Sequence, residues 1–153
     1  MRNIWLGLLI ITTFFVVSCD DDSVNNPLSW NLTASFSGDI TYKMSTILGT
    51  ATKIDEDSKI TIGGTDVYNG KNISIAIVTF GTTAKTYNVD LLGGINECSC
   101  VVIYDGVEYA ATTGKVILSS VGSSIKGTFE FKCYDLDGKP LNINSGSFYL
   151  KLL

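Results

Sequence analysis

Apolar and polar residues alternate along most of this chain with a period of two. Trp30, Leu32, Ala34 and Phe36 are interleaved with Asn31, Thr33, Ser35 and Ser37, a spacing that puts one face of an extended segment in a core and the other toward water. Ile40, Tyr42 and Met44 continue the pattern beyond Ser37-Gly38-Asp39, and Ile60 and Ile62 resume it. Asn69-Gly70 supplies hairpin-turn chemistry before Ile73, Ile75 and Ile77 in the segment 72–80. Tyr87, Val89 and Leu91 make a further strand. After Gly93-Gly94 comes 98–104, which Asp105-Gly106 reverses into Val107, Tyr109 and Ala111. Segments 115–120 and 124–134 form another pair around Val121-Gly122, with Ile125, Phe129, Phe131 and Cys133 set against Lys126, Thr128, Glu130 and Lys132. The turn 135–140 leads into Leu141 and Ile143, after which Gly146, Phe148, Leu150 and Leu152 share a face.

Short strands joined by Gly, Asn and Asp turns, about nine to ten of them, predict an all-β domain: a single antiparallel β-sandwich or a meandering β-barrel. No segment after Cys19 has a helical period, and parallel crossovers would need helices. The apolar run 73–80 is expected to be central in its sheet, because an unpaired edge of that composition would template association.

The first nineteen residues break the alternation. Arg2, an apolar run over 4–17, and then Val16-Val17-Ser18-Cys19 have the charged, apolar and small-residue regions of a secretory signal. A stretch of fourteen residues falls short of the roughly 20 apolar ones that span a bilayer as a helix, so cleavage is expected rather than retention. An apolar residue three positions upstream and Ser18 directly before Cys19 resemble the lipobox of bacterial lipoproteins. The resemblance implies that the Cys19 thiolate takes a diacylglyceryl group and that Cys19 becomes the new N-terminus. Two or three acyl chains then hold the mature chain on the membrane, since each buried methylene contributes about 0.8 kcal/mol.

Asp20-Asp21-Asp22 and Ser23 to Pro27 form a polar tether. An acidic run beside the lipidated cysteine is similar to the surface-export signal of Bacteroidota lipoproteins, without the Ser or Lys that usually precedes the acids. The expected organisation is a signal peptide at 1–18, lipidated Cys19 and tether over 19–27, and one β domain over 28–153. The expected location is the outer membrane, lipid-anchored at the cell surface, with a periplasmic orientation as the alternative. Asp22-Ser23-Val24 also resembles a short O-glycosylation site.

Charge narrows the partners. Without Arg2, ten lysines face fifteen acids and no arginine or histidine remains, so there is no basic footprint for a phosphate backbone and nucleic acid is excluded as a partner. The absence of His also removes Ser-His-Asp, Cys-His and ordinary zinc-hydrolase chemistry. A two-carboxylate glycosidase needs only paired acids, and Glu97, Glu108 and Glu130 at strand positions are its candidates. Other acids sit where turns need them: Asp55, Glu56 and Asp57 in one loop, Asp105 before Gly106, and Asp135 and Asp137 before Gly138. Asp135-Leu136-Asp137-Gly138 begins like a calcium loop but lacks the later ligands, so turn chemistry accounts for it. No catalytic residue, cofactor or metal is assigned.

With Cys19 taken by lipid, Cys98, Cys100 and Cys133 remain. Export favours a disulfide, expected between Cys133 and either Cys98 or Cys100. A three-thiolate metal site and buried thiols are the alternatives; zinc usually wants a fourth ligand.

The lipoprotein start, Gly114-Lys115-Val116-Ile117-Leu118, Ile125-Lys126-Gly127-Thr128-Phe129-Glu130-Phe131 and Gly146-Ser147-Phe148 resemble an uncharacterised Bacteroidota lipoprotein family, DUF6252. The likeness spans most of the mature chain and carries no activity or functional residue with it. The expected role is a lipid-anchored binding or structural module contacting an envelope protein, a glycan or an apolar ligand. Tyr68, Tyr104, Tyr109, Tyr134 and Tyr149 are candidates for stacking on sugars. A His-free hydrolase of envelope glycans and a lipocalin-like carrier are the alternatives.

Overall fold

A computed structural model of the chain describes residues 30–54, 56–90, 94 and 96–153. The predicted signal segment, Cys19 and the tether lie outside them. Among the described residues the fold is all-β, with ten strands: β1 (Asn31–Gly38), β2 (Tyr42–Thr46), β3 (Thr50–Ile54), β4 (Lys59–Tyr68), β5 (Lys71–Thr79), β6 (Thr86–Val89), β7 (Glu97–Tyr104), β8 (Val107–Val121), β9 (Ser124–Tyr134) and β10 (Leu141–Lys151). They form one sheet in the order β2-β1-β10-β9-β8-β6-β7-β5-β4-β3, in which β7 also pairs with β8. The apolar strand β5 is central, laddered to β4 on one side and β7 on the other, as its composition requires.

The sheet curls until its two ends meet. Only Ile47, Leu48 and Gly49 separate β2 from β3, yet β2 pairs with β1, Leu32 opposite Thr46, while β3 pairs with β4, Thr50 opposite Gly63. Ala51 makes a parallel bridge to Leu152, and the Leu153 N–H donates to the Ala51 carbonyl at 3.0 Å. Across the same seam, a Cβ on Gly64 would stand 3.2 Å from the Thr46 methyl and 3.4 Å from Leu32. Two edges that would otherwise expose unpaired backbone are thereby brought against other strands.

Inside lies one apolar core, filled by Leu32, Phe36, Met44, Ile60, Ile62, Ile73, Ile77, Tyr87, Leu118, Phe129, Phe148 and their neighbours. Burial of each large aliphatic or Phe side chain contributes about 1.5–3 kcal/mol. The inward positions of the long strands change parity, and bulges explain how. In β8 the buried residues are Tyr109 and Ala111, then Val116 and Leu118, and a register shift falls between Ala111 and Thr113. In β10 Leu141 and Ile143 give way to Gly146, Phe148 and Leu150, with a shift between Ile143 and Gly146. One extra residue moves the following side chains to the opposite face. The segments read separately as 107–111 and 115–120 are therefore one continuous strand.

Three further expectations are corrected. The sheet is mixed rather than purely antiparallel, because β6 runs parallel to β7 through Asn88–Glu97 and Val89–Cys98. Only seven residues, 90–96, separate the two strands. β3 was invisible in the alternation, since Ala51 is its one buried residue. Trp30 does not join the inward face of β1; it precedes the strand and packs on Tyr149 at 4.9 Å between ring centroids.

Candidate functional site: a polar cleft at one end of the sheet

The loops β3–β4, β5–β6 and β6–β7 meet at one end of the sheet and enclose a solvent-open cleft of about 570 Å³, within the size range of small-ligand sites. Its walls are Glu56, Asp57 and Ser58 from the first loop, Phe80 to Thr83 and Lys85 from the second, and Gly94 and Asn96 from the third. Turn residues supply most of this lining, so the cleft offers carboxylates, hydroxyls, an amide and an ammonium around a single aromatic ring.

Each wall is tied to the core. The ring of Tyr87 is fully buried on β6, and its hydroxyl donates to the Thr83 carbonyl at 2.8 Å while accepting from the Thr83 N–H at 3.1 Å. Gly81 makes that contact sterically possible, because a Cβ there would lie 2.7 Å from the Tyr87 ring. The Phe80 N–H donates to the Glu97 carbonyl at 2.8 Å and the Asn96 N–H to the Phe80 carbonyl at 2.9 Å, which clips the second wall to the third. Lys85 Nζ donates to Asn96 Oδ1, and Glu97 accepts from the Gly94 N–H. On the first wall Asp57 pairs with Lys59 at 3.2 Å, and the Lys59 ammonium sits 5.6 Å from the Phe80 ring centroid.

Backbone geometry marks the same place. Four described non-glycine residues have positive φ: Ser58, Asn69, Asn96 and Asp105. Asn69 and Asp105 each precede a glycine also at positive φ, the turn chemistry of a two-residue hairpin. Ser58 at 50° and Asn96 at 72° instead both line the cleft. A non-glycine residue held there costs about 1–3 kcal/mol, and such outliers gather at binding sites.

The opposite end of the sheet is closed by aromatic rings. Tyr42 packs on Tyr68 at 4.4 Å and Tyr68 on Tyr104 at 6.3 Å between centroids, while Phe36 stacks on Tyr42 at 6.4 Å. Tyr42 Oη donates to Asp66 Oδ2 at 2.7 Å. Burial first, then this bond, raises the Tyr42 phenol to about 12. Burial also opposes ionisation of Asp66, but bonds from Tyr42 and the Val67 and Ser45 amides outweigh it and hold the carboxyl below its ordinary value. Tyr109, expected to be exposed, is buried because it occupies an inward position of β8, and its hydroxyl donates to Asp39 at 2.7 Å. Burial and that bond raise its phenol as well.

The tyrosines read as stacking candidates therefore do not form one surface. Tyr68 and Tyr104 face each other, Tyr109 is internal, Tyr134 is exposed on β9, and Tyr149 covers Trp30. The carboxylates read as hydrolase candidates also stand apart. Glu130 pairs with Lys115 at 3.2 Å on the outer face, Glu108 is exposed opposite Ile103, and Glu97 is bonded to Gly94. Phe80 and Lys85 were not singled out from the sequence. The available signal was the polar run Gly81-Thr82-Thr83-Ala84-Lys85, longer than a tight hairpin turn between two apolar strands.

Cys98, Cys100 and Cys133 are free thiols, all buried. Cys133 lies opposite Ala111 and Val101 opposite Ala110, so Cys100 and Cys133 flank the small Ala111 side chain, close enough to perturb each other. Cys98 instead donates to the Tyr87 carbonyl at 3.2 Å. Burial pushes Cys98 up to about 11 and raises Cys100 too, helped by Cys133. Among the described residues no group of three Cys, Asp or Glu side chains is placed to hold a metal ion.

A small curled-sheet domain with a loop-built polar cleft at one end and an aromatic closure at the other is thus the class that fold and site define. The chain belongs to the DUF6252 family, a domain of unknown function, whose family model matches residues 33–150, from β1 into β10. No curated protein and no solved structure matches it.

Proposed function

We propose that this protein is a lipid-anchored cell-envelope lipoprotein of Bacteroidota type, tethered through Cys19 to the outer membrane and exposed at the cell surface, and that it acts as a binding module for a glycan. The observation that carries the ligand class is the cleft: hydroxyl, amide, carboxylate and ammonium groups around the Phe80 ring match the alternating polar edges and apolar faces of a sugar. The filled interior favours a surface-bound ligand over an apolar cargo. Asp20 to Asp22 beside Cys19 support surface export.

Two measurements test the reading. Mass spectrometry of the protein from its native envelope is expected to find an acylated N-terminal Cys19, and protease treatment of intact cells is expected to remove the domain. Titration with soluble fragments of envelope and host glycans is expected to give saturable binding that Phe80→Ala and Lys85→Ala each weaken about tenfold, the loss of one good contact of ~1.4 kcal/mol. Equal binding by wild type and both variants would place the ligand elsewhere. Glu56 and Asp57 also line the cleft and favour a hydrolytic second reading. Glycan turnover abolished by Glu56→Gln or Asp57→Asn would replace the binding module with that reading.

A further inference from the structure

The corner between β2 and β3 carries two consecutive large apolar side chains on the outside, Ile47 at 76% and Leu48 at 67% exposed. Their exposure is built in. The Leu48 N–H donates to Thr46 Oγ1 at 3.0 Å, and Gly49 approaches the core so closely that a Cβ would lie 2.6 Å from Leu150 and 3.3 Å from Leu32. With Gly49 pressed inward, the two residues before it are held outward.

Trp30 enters the same end of the sheet: it stands two residues before Leu32, whose register partner Thr46 directly precedes the corner. Its indole is 37% exposed and lies against Tyr149. Leu153, 67% exposed, is bonded into β3 beside the corner. On the outer face next to Tyr149 are Lys126, its register partner, and Lys151 two residues along β10, both exposed. Trp and Tyr beside aliphatic residues and lysines are the composition that settles at the boundary between headgroups and acyl chains.

The length of chain outside the structure says what this surface meets. Trp30 is the first described residue, eleven positions after Cys19, and that span extends to at most about 40 Å. The chain enters the domain at the patch, so a lipid attached at Cys19 keeps the patch within reach of the bilayer.

We propose that Trp30, Ile47, Leu48 and Leu153 seat the domain on the phospholipid surface, with the indole and the Ile47-Leu48 corner in the interfacial layer. The proposal rests on the lipoprotein reading. In this orientation Cys19 and the patch share the membrane side, and the anchor acts as the first of two attachments.

Of the two tryptophans in the sequence, Trp5 falls in the predicted signal segment, so Trp30 alone reports in the mature chain. The mature lipoprotein is reconstituted into phosphatidylcholine–phosphatidylglycerol vesicles, with and without brominated acyl chains. Expected are a blue-shifted Trp30 emission and quenching by brominated lipid of about twofold. In the double variant Ile47→Asp, Leu48→Asp the emission moves to the red and most of the quenching is lost, while the protein still floats with the vesicles. Wild-type protein that floats with Trp30 unquenched overturns the proposal alone, as does quenching that the double variant leaves unchanged. Cross-linked pairs with a blue-shifted but unquenched Trp30 overturn it in favour of a contact between two copies. A mature chain without an acyl group that fails to float overturns the lipoprotein reading, and the proposal with it.

Discussion

Tyr42 donates its phenolic proton to Asp66 at 2.7 Å across the seam where the two ends of the sheet meet. β2 has its backbone ladder with β1 only, so this side-chain bond, joined by the Ser45 N–H to the same carboxylate oxygen at 3.3 Å, ties β2 to β4. A hydrogen bond to a charged, partly exposed acceptor contributes about 1–2 kcal/mol. Asp66→Asn and Tyr42→Phe are each expected to lower the urea unfolding free energy by about that amount, with a double variant costing less than the sum. Strict additivity would show that the bond does not couple the seam.

The same pair sets a pH dependence with two limits. Asp66 titrates below its ordinary carboxyl value in the folded state, so its contribution is present above the unfolded value and is lost as pH falls through the depressed folded one. Tyr42 is raised from 10.0 to about 12, so its contribution is complete below pH 10 and disappears as pH rises toward 12. Thermal unfolding across pH is expected to show the alkaline loss shrinking in Tyr42→Phe. An unchanged alkaline limb would assign it to other groups, Tyr109 first.

Gly146 sits on the inward face of β10 directly against the Phe129 ring, where a Cβ would collide with the ring carbons. Phe129 is in turn packed on Phe131 and Phe148 at 5.9 and 6.1 Å and has little room to yield. Gly146→Ala is expected to destabilise by about 1–3 kcal/mol through overpacking, and Phe129→Leu to recover part of that loss in the double variant. Denaturant melts of the three proteins decide it; an Ala variant as stable as wild type would mean that the aromatic cluster shifts freely.

Among the cysteines, the fold brings Cys100 and Cys133 together and gives Cys98 a backbone partner. Under oxidising conditions Cys100 is therefore the expected partner of Cys133, and because the two lie on β7 and β9 with β8 between them, a bridge within the roughly 7 Å Cα limit needs those strands to draw together. Peptide mapping under non-reducing conditions reads the connectivity directly. A Cys98–Cys133 peptide would contradict the register of β7 against β8.

Hydrogen exchange should follow sheet position. The amides of β5, laddered on both sides, are expected to be among the slowest, and those of β2, with one ladder, to exchange earlier by local opening. Faster exchange in β5 than in β2 would be inconsistent with this strand order.

Strand content and much of the core are legible in the residue pattern alone. The alternation of Ile125, Phe129, Phe131 and Cys133 against charged neighbours, and the Asn69-Gly70 and Asp105-Gly106 turns, encode local geometry that the residues impose wherever they fold. The apolar run 73–80 likewise required a central place. Only the tertiary structure decided the rest, because each remaining feature depends on residues distant in sequence. Bulges near Thr112 and Asn144 turn broken alternation into continuous strands, and β3 gets its place from its ladder to β4 and the bridge from Ala51 to Leu152. Tyr109, at an inward position of β8, keeps its hydroxyl satisfied through Asp39 from a distant loop. The cleft draws Glu56, Phe80, Lys85 and Asn96 from three loops, and nothing in the local pattern of any one loop announces the other two. Pairing of β1 with β2 also brings the start of β1 to the Ile47-Leu48 corner, since register between strands is a property of pairing and not of either strand alone.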